Sequence, residues 1–133
     1  TMRLSSCPWS EEAARVLAAS LKWFPLAGVE DYRLMLENDP NTGLYRCDDE
    51  DGLVGFLILR IEHYTGGAEG VILAAAMKNK GVDLVKVLLP AVESLFQGVS
   101  CYSVATARPG LVRKLKRAGW LQTHAVMRKV AAL

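Results

Sequence analysis

The fold of this chain is decided by residues 53–77, which read LVGFLILRIEHYTGGAEGVILAAAM. The first part is rich in Val, Phe, Ile and Leu as far as His63, and Tyr-Thr-Gly-Gly at 64–67 then supplies a turn. A second apolar run extends from Glu69 to Met77, and its lack of alternation indicates burial on both faces. The stretch therefore predicts two long antiparallel strands joined by a hairpin turn.

The regions on either side contain further strands and helices. Ser10 can cap the free N–H groups of a helix whose first turn holds Glu11 and Glu12. Asp83 opens a later helix, in which Pro90 predicts a kink. Strands are predicted at 2–7, 44–47, 53–63, 69–77, 100–106 and 120–130, and helices from residue 10, over 30–37, over 83–98 and over 109–118.

The order of these elements predicts one α/β domain over residues 1–133. Antiparallel strands followed by strand-helix-strand crossovers form a mixed, mainly antiparallel sheet with helices on both faces, here about four helices. We expect the fourth and fifth strands to be parallel and to splay around a ligand cleft. A content of 51% hydrophobic and 23% charged residues suits a single core of this size, which needs no disulfide or structural metal.

The sequence does not indicate a membrane protein or a metal protein. Its apolar stretches, such as 70–77, are far below the roughly 18–20 residues that span a bilayer, so we expect a cytoplasmic protein. The three cysteines are widely spaced and odd in number, which predicts free thiols. Two histidines without metal-ligand spacing predict no metal site. These residues are Cys7, Cys47, Cys101, His63 and His124.

Charge is distributed unevenly along the chain. Residues 1–67 contain 11 acidic and 6 basic side chains, whereas residues 68–133 contain 3 acidic and 10 basic ones. The two halves therefore carry net charges of −5 and +7, and no carboxylate side chain follows Glu93. This asymmetry favours an anionic ligand for the second half.

Two segments resemble the GNAT superfamily of acyl-CoA-dependent N-acetyltransferases. Residues 71–77 (VILAAAM) lead into 78–83 (KNKGVD), which resembles the strand and pyrophosphate-binding loop of that family, and 116–120 (KRAGW) resembles its basic helix end followed by Gly-Phe. The likeness extends over nearly the whole chain. It implies the fold of that family, with acetyl-CoA as the substrate that donates the acetyl group, an amine as the acceptor and coenzyme A as the product that is released.

The resemblance places coenzyme A at a glycine loop that begins a helix, where unpaired N–H groups can bind phosphate. Asp83, which stands where the family has a small residue, could instead cap those N–H groups, and both interpretations stay open. Arg108, Arg113 or Lys114 would contact the 3′-phosphate. The implied binding residues are Ala76, Met77, Lys78, Lys80, Gly81, Val82, Asp83, Leu84, Arg108 and Arg113.

The family's reaction needs a base that accepts the proton of the attacking amine. Glu62, His63 and Glu69 are the candidates, and each is also typical of an exposed strand end. The family's tyrosine, which protonates the departing thiolate, falls on Leu115, so this step would pass to water, Tyr102 or Ser103.

A second class of function is compatible with the same residues. The basic face of the helix at 109–118 has three interpretations, of which a solvated surface is favoured first and a contact with coenzyme A second. A nucleic-acid contact is the least favoured, because no aromatic side chains are interleaved with the basic ones. The Arg-Pro-Gly-Leu start of this helix also resembles reduced GNAT-like proteins of bacteriophages. The alternative is therefore a non-catalytic GNAT-fold interaction or virion protein, located in the virion, and the exposed strand edges are compatible with a homo-oligomer or a virion assembly partner.

Overall fold

A single five-stranded sheet organises the protein. The computed structural model describes residues 2–21, 26–79, 83–106, 108–129 and 131, without the side chains of Ser20 and Leu84. The strands lie in chain order: β1 Arg3–Ser6, β2 Thr42–Asp49, β3 Gly52–Tyr64, β4 Gly67–Met77 and β5 Cys101–Val104. Neighbours are antiparallel from β1 to β4, whereas β4 and β5 are parallel. The predicted mixed, mainly antiparallel sheet is confirmed.

Four α-helices flank the sheet in the described part of the chain: α1 Glu11–Ala18, α2 Val29–Asn38, α3 Leu89–Leu95 and α4 Pro109–Arg117. A 3₁₀ turn, Ala19–Leu21, extends α1, and a π-helical turn, Leu84–Leu88, leads into α3. The predicted cap of α1 is present, since the backbone N–H of Ala13 donates to Oγ of Ser10 at 3.1 Å. The change from π to α geometry occurs next to Pro90, which lacks the N–H that a continuous helix would use.

The two faces of the sheet are covered by different helices. On one face, β-strand side chains such as Leu57 and Ile72 pack with Val92 of α3 and Leu115 of α4. On the other face, Phe56, Ile58 and Ala76 pack with Ala13 and Leu17 of α1. We call these the α3 face and the α1 face.

The strands β4 and β5 separate along their length. Their pairing runs from Glu69↔Cys101 to Ile72↔Val104, but β4 continues to Met77. The register between β3 and β4 shifts so that Leu73 is an extra residue, a bulge that bends the strand at the point of separation. The β4 edge at 73–77 therefore has no strand partner on the β5 side among the described residues, in agreement with the predicted splaying.

The predicted final strand at 120–130 is wrong. Residues 121–129 form no strand and are exposed, with Leu121 at 85% and Met127 at 89% of full exposure. Gly119, at φ +93°, ends α4, and the N–H of Trp120 donates to the carbonyl of Leu115 at 3.0 Å. Strand-forming side chains alone do not make a strand, because its backbone groups need a hydrogen-bonded neighbour.

Candidate functional site

Glu69 lies at the centre of a polar cluster between β4 and β5. The hydroxyl of Ser103 donates to Oε1 of Glu69 at 2.9 Å, and the thiol of Cys101 donates to Oε2 at 3.5 Å. Cys101 is directly opposite Glu69 in the parallel register, and Ser103 lies two residues further on the same face. Each carboxylate oxygen keeps capacity for a further hydrogen bond, so Glu69 can still accept a proton.

Glu62 is the nearest of the other base candidates to Glu69. The two glutamates are directly opposite each other in the antiparallel register of β3 and β4. Oε1 of Glu62 lies 2.7 Å from Nε of Arg60, as an ion pair without hydrogen-bond alignment. Like charges opposite each other are unfavourable in a sheet, and Arg60 offsets only part of that repulsion, through its ion pair with Glu62. His63 is exposed, and strand alternation directs its side chain to the α3 face.

Tyr102 is separated from Glu69 by the sheet itself. Its ring packs in the core of the α3 face, beside Gly70. Its hydroxyl lies 3.3 Å from the carbonyl oxygen of Phe96 and 3.4 Å from that of Glu93, so it donates to the C-terminal end of α3. The structure brings Glu62, Glu69 and Ser103 together on the α1 face and does not bring Tyr102 to them.

The segment predicted to bind pyrophosphate is described at both ends. Lys80, Gly81 and Val82 lie outside the described residues. Before them, Ala76 is buried on the α1 face, Met77 packs on the α3 face, and Nζ of Lys78 lies 3.8 Å from a carboxylate oxygen of Glu12. After them, Leu84 begins the π-helical turn.

Asp83 forms the helix cap that one interpretation of the sequence predicts. Its Oδ1 accepts a hydrogen bond from the backbone N–H of Lys86 at 3.1 Å, and its backbone carbonyl accepts from the N–H of Val87 at 3.0 Å. Oδ2 lies 3.8 Å from Nζ of Lys114 on α4. A ligand phosphate at this helix start would therefore meet a carboxylate that already uses one of the free N–H groups.

The basic helix α4 presents its cations to solvent. Arg108 and Arg113 are exposed, and the backbone N–H of Arg108 donates to Oγ1 of Thr106 at 3.1 Å. Leu115, at the place of the family's tyrosine, is only 7% exposed and belongs to the α3-face core. Its position thus serves packing.

Sequence reasoning missed the relation of Cys101 to Glu69. All three cysteines are free, and Cys101 is the exposed one. Local desolvation, followed by the hydrogen bond and negative charge of Glu69, raises the pKa of its thiol. The spacing of Cys101 and Ser103 by two residues was the available signal, but only the parallel register shows that Glu69 lies opposite them.

A separate open cavity of about 750 Å³ lies between β1, β2 and α3. Its lining includes Arg3 and the ion pair of Arg46 with Asp48, whose nearest atoms are 2.9 Å apart. It is at the β1 edge, whereas Glu69 is beside the β5 edge. The cavity and the glutamate cluster are therefore different regions.

No group of three or more His, Cys, Asp and Glu side chains in the described part of the chain is arranged to hold a metal ion. None of the described helices has both the length and the apolar character that crossing a bilayer requires.

Comparisons with known proteins show the fold. The sequence matches no protein-family model and no curated protein sequence. Its structure is similar to an acetyltransferase from Trypanosoma brucei, with a TM-score of 0.66, 17% identity and coverage of 98% of this chain and 100% of that one. It is also similar to a ribosomal-protein-alanine N-acetyltransferase from Brucella melitensis biovar Abortus 2308, with a TM-score of 0.62, 18% identity and coverage of 99% and 98%.

A third similar structure has a different description. It is a transcriptional regulator from Bacillus halodurans C-125, with a TM-score of 0.66, 14% identity and coverage of 98% of this chain and 100% of that one. All three likenesses cover nearly whole chains, and the identities are low. They show that this protein has the fold of the GNAT acetyltransferases.

Proposed function

We propose that this protein is an N-acetyltransferase that transfers the acetyl group of acetyl-CoA to an amine, with Glu69 as the base. The observation that carries the proposal is that β4 separates from β5 beyond Ile72 and Val104. The same strand, β4, also carries Glu69, whose carboxylate accepts a hydrogen bond from Ser103. The fold shared with acetyltransferases supports it. The cytoplasm is the proposed location.

The unpaired edge of β4 fits the acyl donor. Residues 73–77 continue as a strand that no described residue pairs with on the β5 side, so we propose that their backbone N–H and C=O groups on that side bind the ligand. An extended pantetheine chain carries amide groups that can pair with such an edge. A backbone N–H of this stretch would stabilise the negative charge that develops on the thioester oxygen.

The proposed reaction proceeds by direct transfer. The amine nitrogen forms a bond to the thioester carbon, the carbon–sulfur bond breaks, and Glu69 accepts the proton of the amine. Glu69 lies four residues before Leu73, about 13 Å along the strand, so we propose that ordered water carries this proton. Water also protonates the departing thiolate, because the hydroxyl of Tyr102 faces α3 and Leu115 is buried.

Phosphate binding is the weaker part of the fit. The positive charge of Lys78 and of the α4 cations Arg108 and Arg113 favours the diphosphate and 3′-phosphate of coenzyme A. The carboxylate of Asp83 opposes it at the helix start. We therefore expect coenzyme A to bind more weakly than the charge of the second half alone would suggest.

Calorimetric titration with acetyl-CoA, followed by an assay over a panel of amines, tests the proposal. Saturation should raise stability, by about 2.7 kcal/mol at a ligand concentration of 100 Kd. Glu69→Gln should bind acetyl-CoA like the wild type and keep only a small, measurable residual turnover, whereas Glu62→Gln, the matched cross-strand control, should keep the wild-type turnover. Absence of binding at millimolar acetyl-CoA would contradict the proposal.

A non-catalytic interaction protein is the second candidate. The capping role of Asp83 favours it, since that hydrogen bond occupies an N–H that a phosphate would use. The likeness to a transcriptional regulator shows a protein of another description with this fold. Bacteriophage origin, a virion location and assembly into oligomers stay predictions that neither the structure nor the comparisons support.

A further inference from the structure

We infer that Ser103 is a positioning residue that fixes the carboxylate of Glu69, with the Cys101 thiol as a second, weaker donor. This inference deepens the proposed function and rests on it. The resemblance to the GNAT family suggested Ser103 only as a proton donor to the thiolate. The geometry points to a different role, in which its hydroxyl acts through Glu69.

The two donors bind different oxygens of one carboxylate. Ser103 Oγ is 2.9 Å from Oε1, a strong contact, and Cys101 Sγ is 3.5 Å from Oε2, a weaker thiol contact. Ser103 is half-buried, whereas Cys101 is exposed. A glutamate side chain at a strand end has several rotamers of similar energy, and two donors on opposite oxygens select one of them.

Cys101 and Ser103, the two donors, both lie on β5, and the pairing of β5 with β4 fixes their positions. Cys101 and Ser103 alternate with Tyr102 and Val104, whose side chains pack into the α3-face core. Tyr102 also bonds to the end of α3. Tyr102 and Val104 therefore hold β5 in register, and Cys101 and Ser103, on the opposite face, hold the carboxylate of Glu69.

Repulsion makes this support necessary. Glu62 is directly opposite Glu69, and its charge would push the Glu69 side chain away. Arg60 pairs with Glu62 and not with Glu69. Hydrogen bonds from β5 thus hold Glu69 without adding a cation, so the carboxylate stays available to accept, through water, the proton that the attacking amine releases.

A comparison of Ser103→Thr with Ser103→Val isolates the hydroxyl, because both side chains are β-branched and suit a strand. We expect Ser103→Thr to keep the wild-type kcat and Ser103→Val to lower it by about tenfold, since small displacements of a reacting group cost up to about 100-fold. The KM for acetyl-CoA should stay unchanged in both. Ser5→Ala, on the distant β1, is the control.

The Glu69→Gln background separates positioning from other roles. There Ser103→Val should cause no further loss, because its effect passes through the carboxylate. A wild-type kcat in Ser103→Val, or an additional loss in the double variant, would overturn the inference while leaving the proposed function intact. A wild type without acetyl transfer, or a fully active Glu69→Gln, would overturn both.

Discussion

The carboxylate of Asp83 accepts a hydrogen bond from the backbone N–H of Lys86 at 3.1 Å, three residues later in the chain. This is the geometry of a helix N-cap, at the place where we propose that the diphosphate of coenzyme A binds. One side chain therefore stabilises the helix start and would repel an anion bound there.

Asp83→Ala should separate these two effects. We expect unfolding free energy to fall by about 0.5–2 kcal/mol through loss of the cap, while coenzyme A binds more tightly because a like charge is removed. Urea denaturation and calorimetric titration measure the two quantities. Asp83→Ser, which keeps a capping oxygen without the charge, should retain stability and gain the same affinity. Weaker binding in both variants would contradict this account.

The Cys101 thiol should ionise only at high pH. Desolvation and Glu69 raise its pKa above the ordinary value, so less thiolate is present at any given pH near neutrality. Alkylation by iodoacetamide, mapped by mass spectrometry across pH, should have its midpoint above that of an ordinary cysteine. Glu69→Gln should shift the midpoint downward.

Cys47 provides an internal comparison in the same experiment. It is buried, and burial, followed by the charges of Asp48 and Cys7, raises its pKa to about 12. It should stay unmodified in the folded protein. An unchanged Cys101 midpoint in Glu69→Gln would show that the carboxylate does not contact the thiol in solution.

Gly55 should not tolerate a side chain. A Cβ at this position would lie 2.2 Å from the carbonyl oxygen of Ala76 and 2.8 Å from Cα of Met77. Gly55→Ala must therefore push β3 from β4, and we expect destabilisation of at least about 1–3 kcal/mol. Gly110→Ala on α4, whose Cβ meets only Arg113 Nη2 at 3.8 Å, should instead stabilise by up to about 1 kcal/mol. The melting temperatures of the two variants, measured by thermal unfolding, test these expectations: Gly55→Ala should melt below the wild type and Gly110→Ala should not.

Leu115 should behave as a core residue and not as a degenerate catalytic one. Leu115→Ala should cost about 2–5 kcal/mol, since the side chain is buried in the α3-face core. Leu115→Tyr should overpack the same site, lowering stability without raising kcat. A stable and faster Leu115→Tyr would show instead that the position faces the thioester.

Much of the fold could be predicted from local patterns. The apolar runs around the turn at 64–67 predicted β3 and β4, and Ser10 before two glutamates predicted the start of α1. In each case the signal lies within a few residues, because turns, caps and strand alternation are local properties. The prediction of the final strand failed for the opposite reason, since residues 121–129 have suitable side chains but pair with no strand in the described part of the chain.

The site shows the same division. The sequence by itself determined the candidate bases and the charge asymmetry, and it gave the Asp83 cap as one of two interpretations, since these features depend on residue type and short spacing. Only the tertiary structure decided that Glu69 lies against Ser103 and Cys101, more than 30 positions later, and that Tyr102 faces away from them. The register of two parallel strands sets these contacts, and it results from packing of the intervening helix on the sheet, which no local pattern encodes.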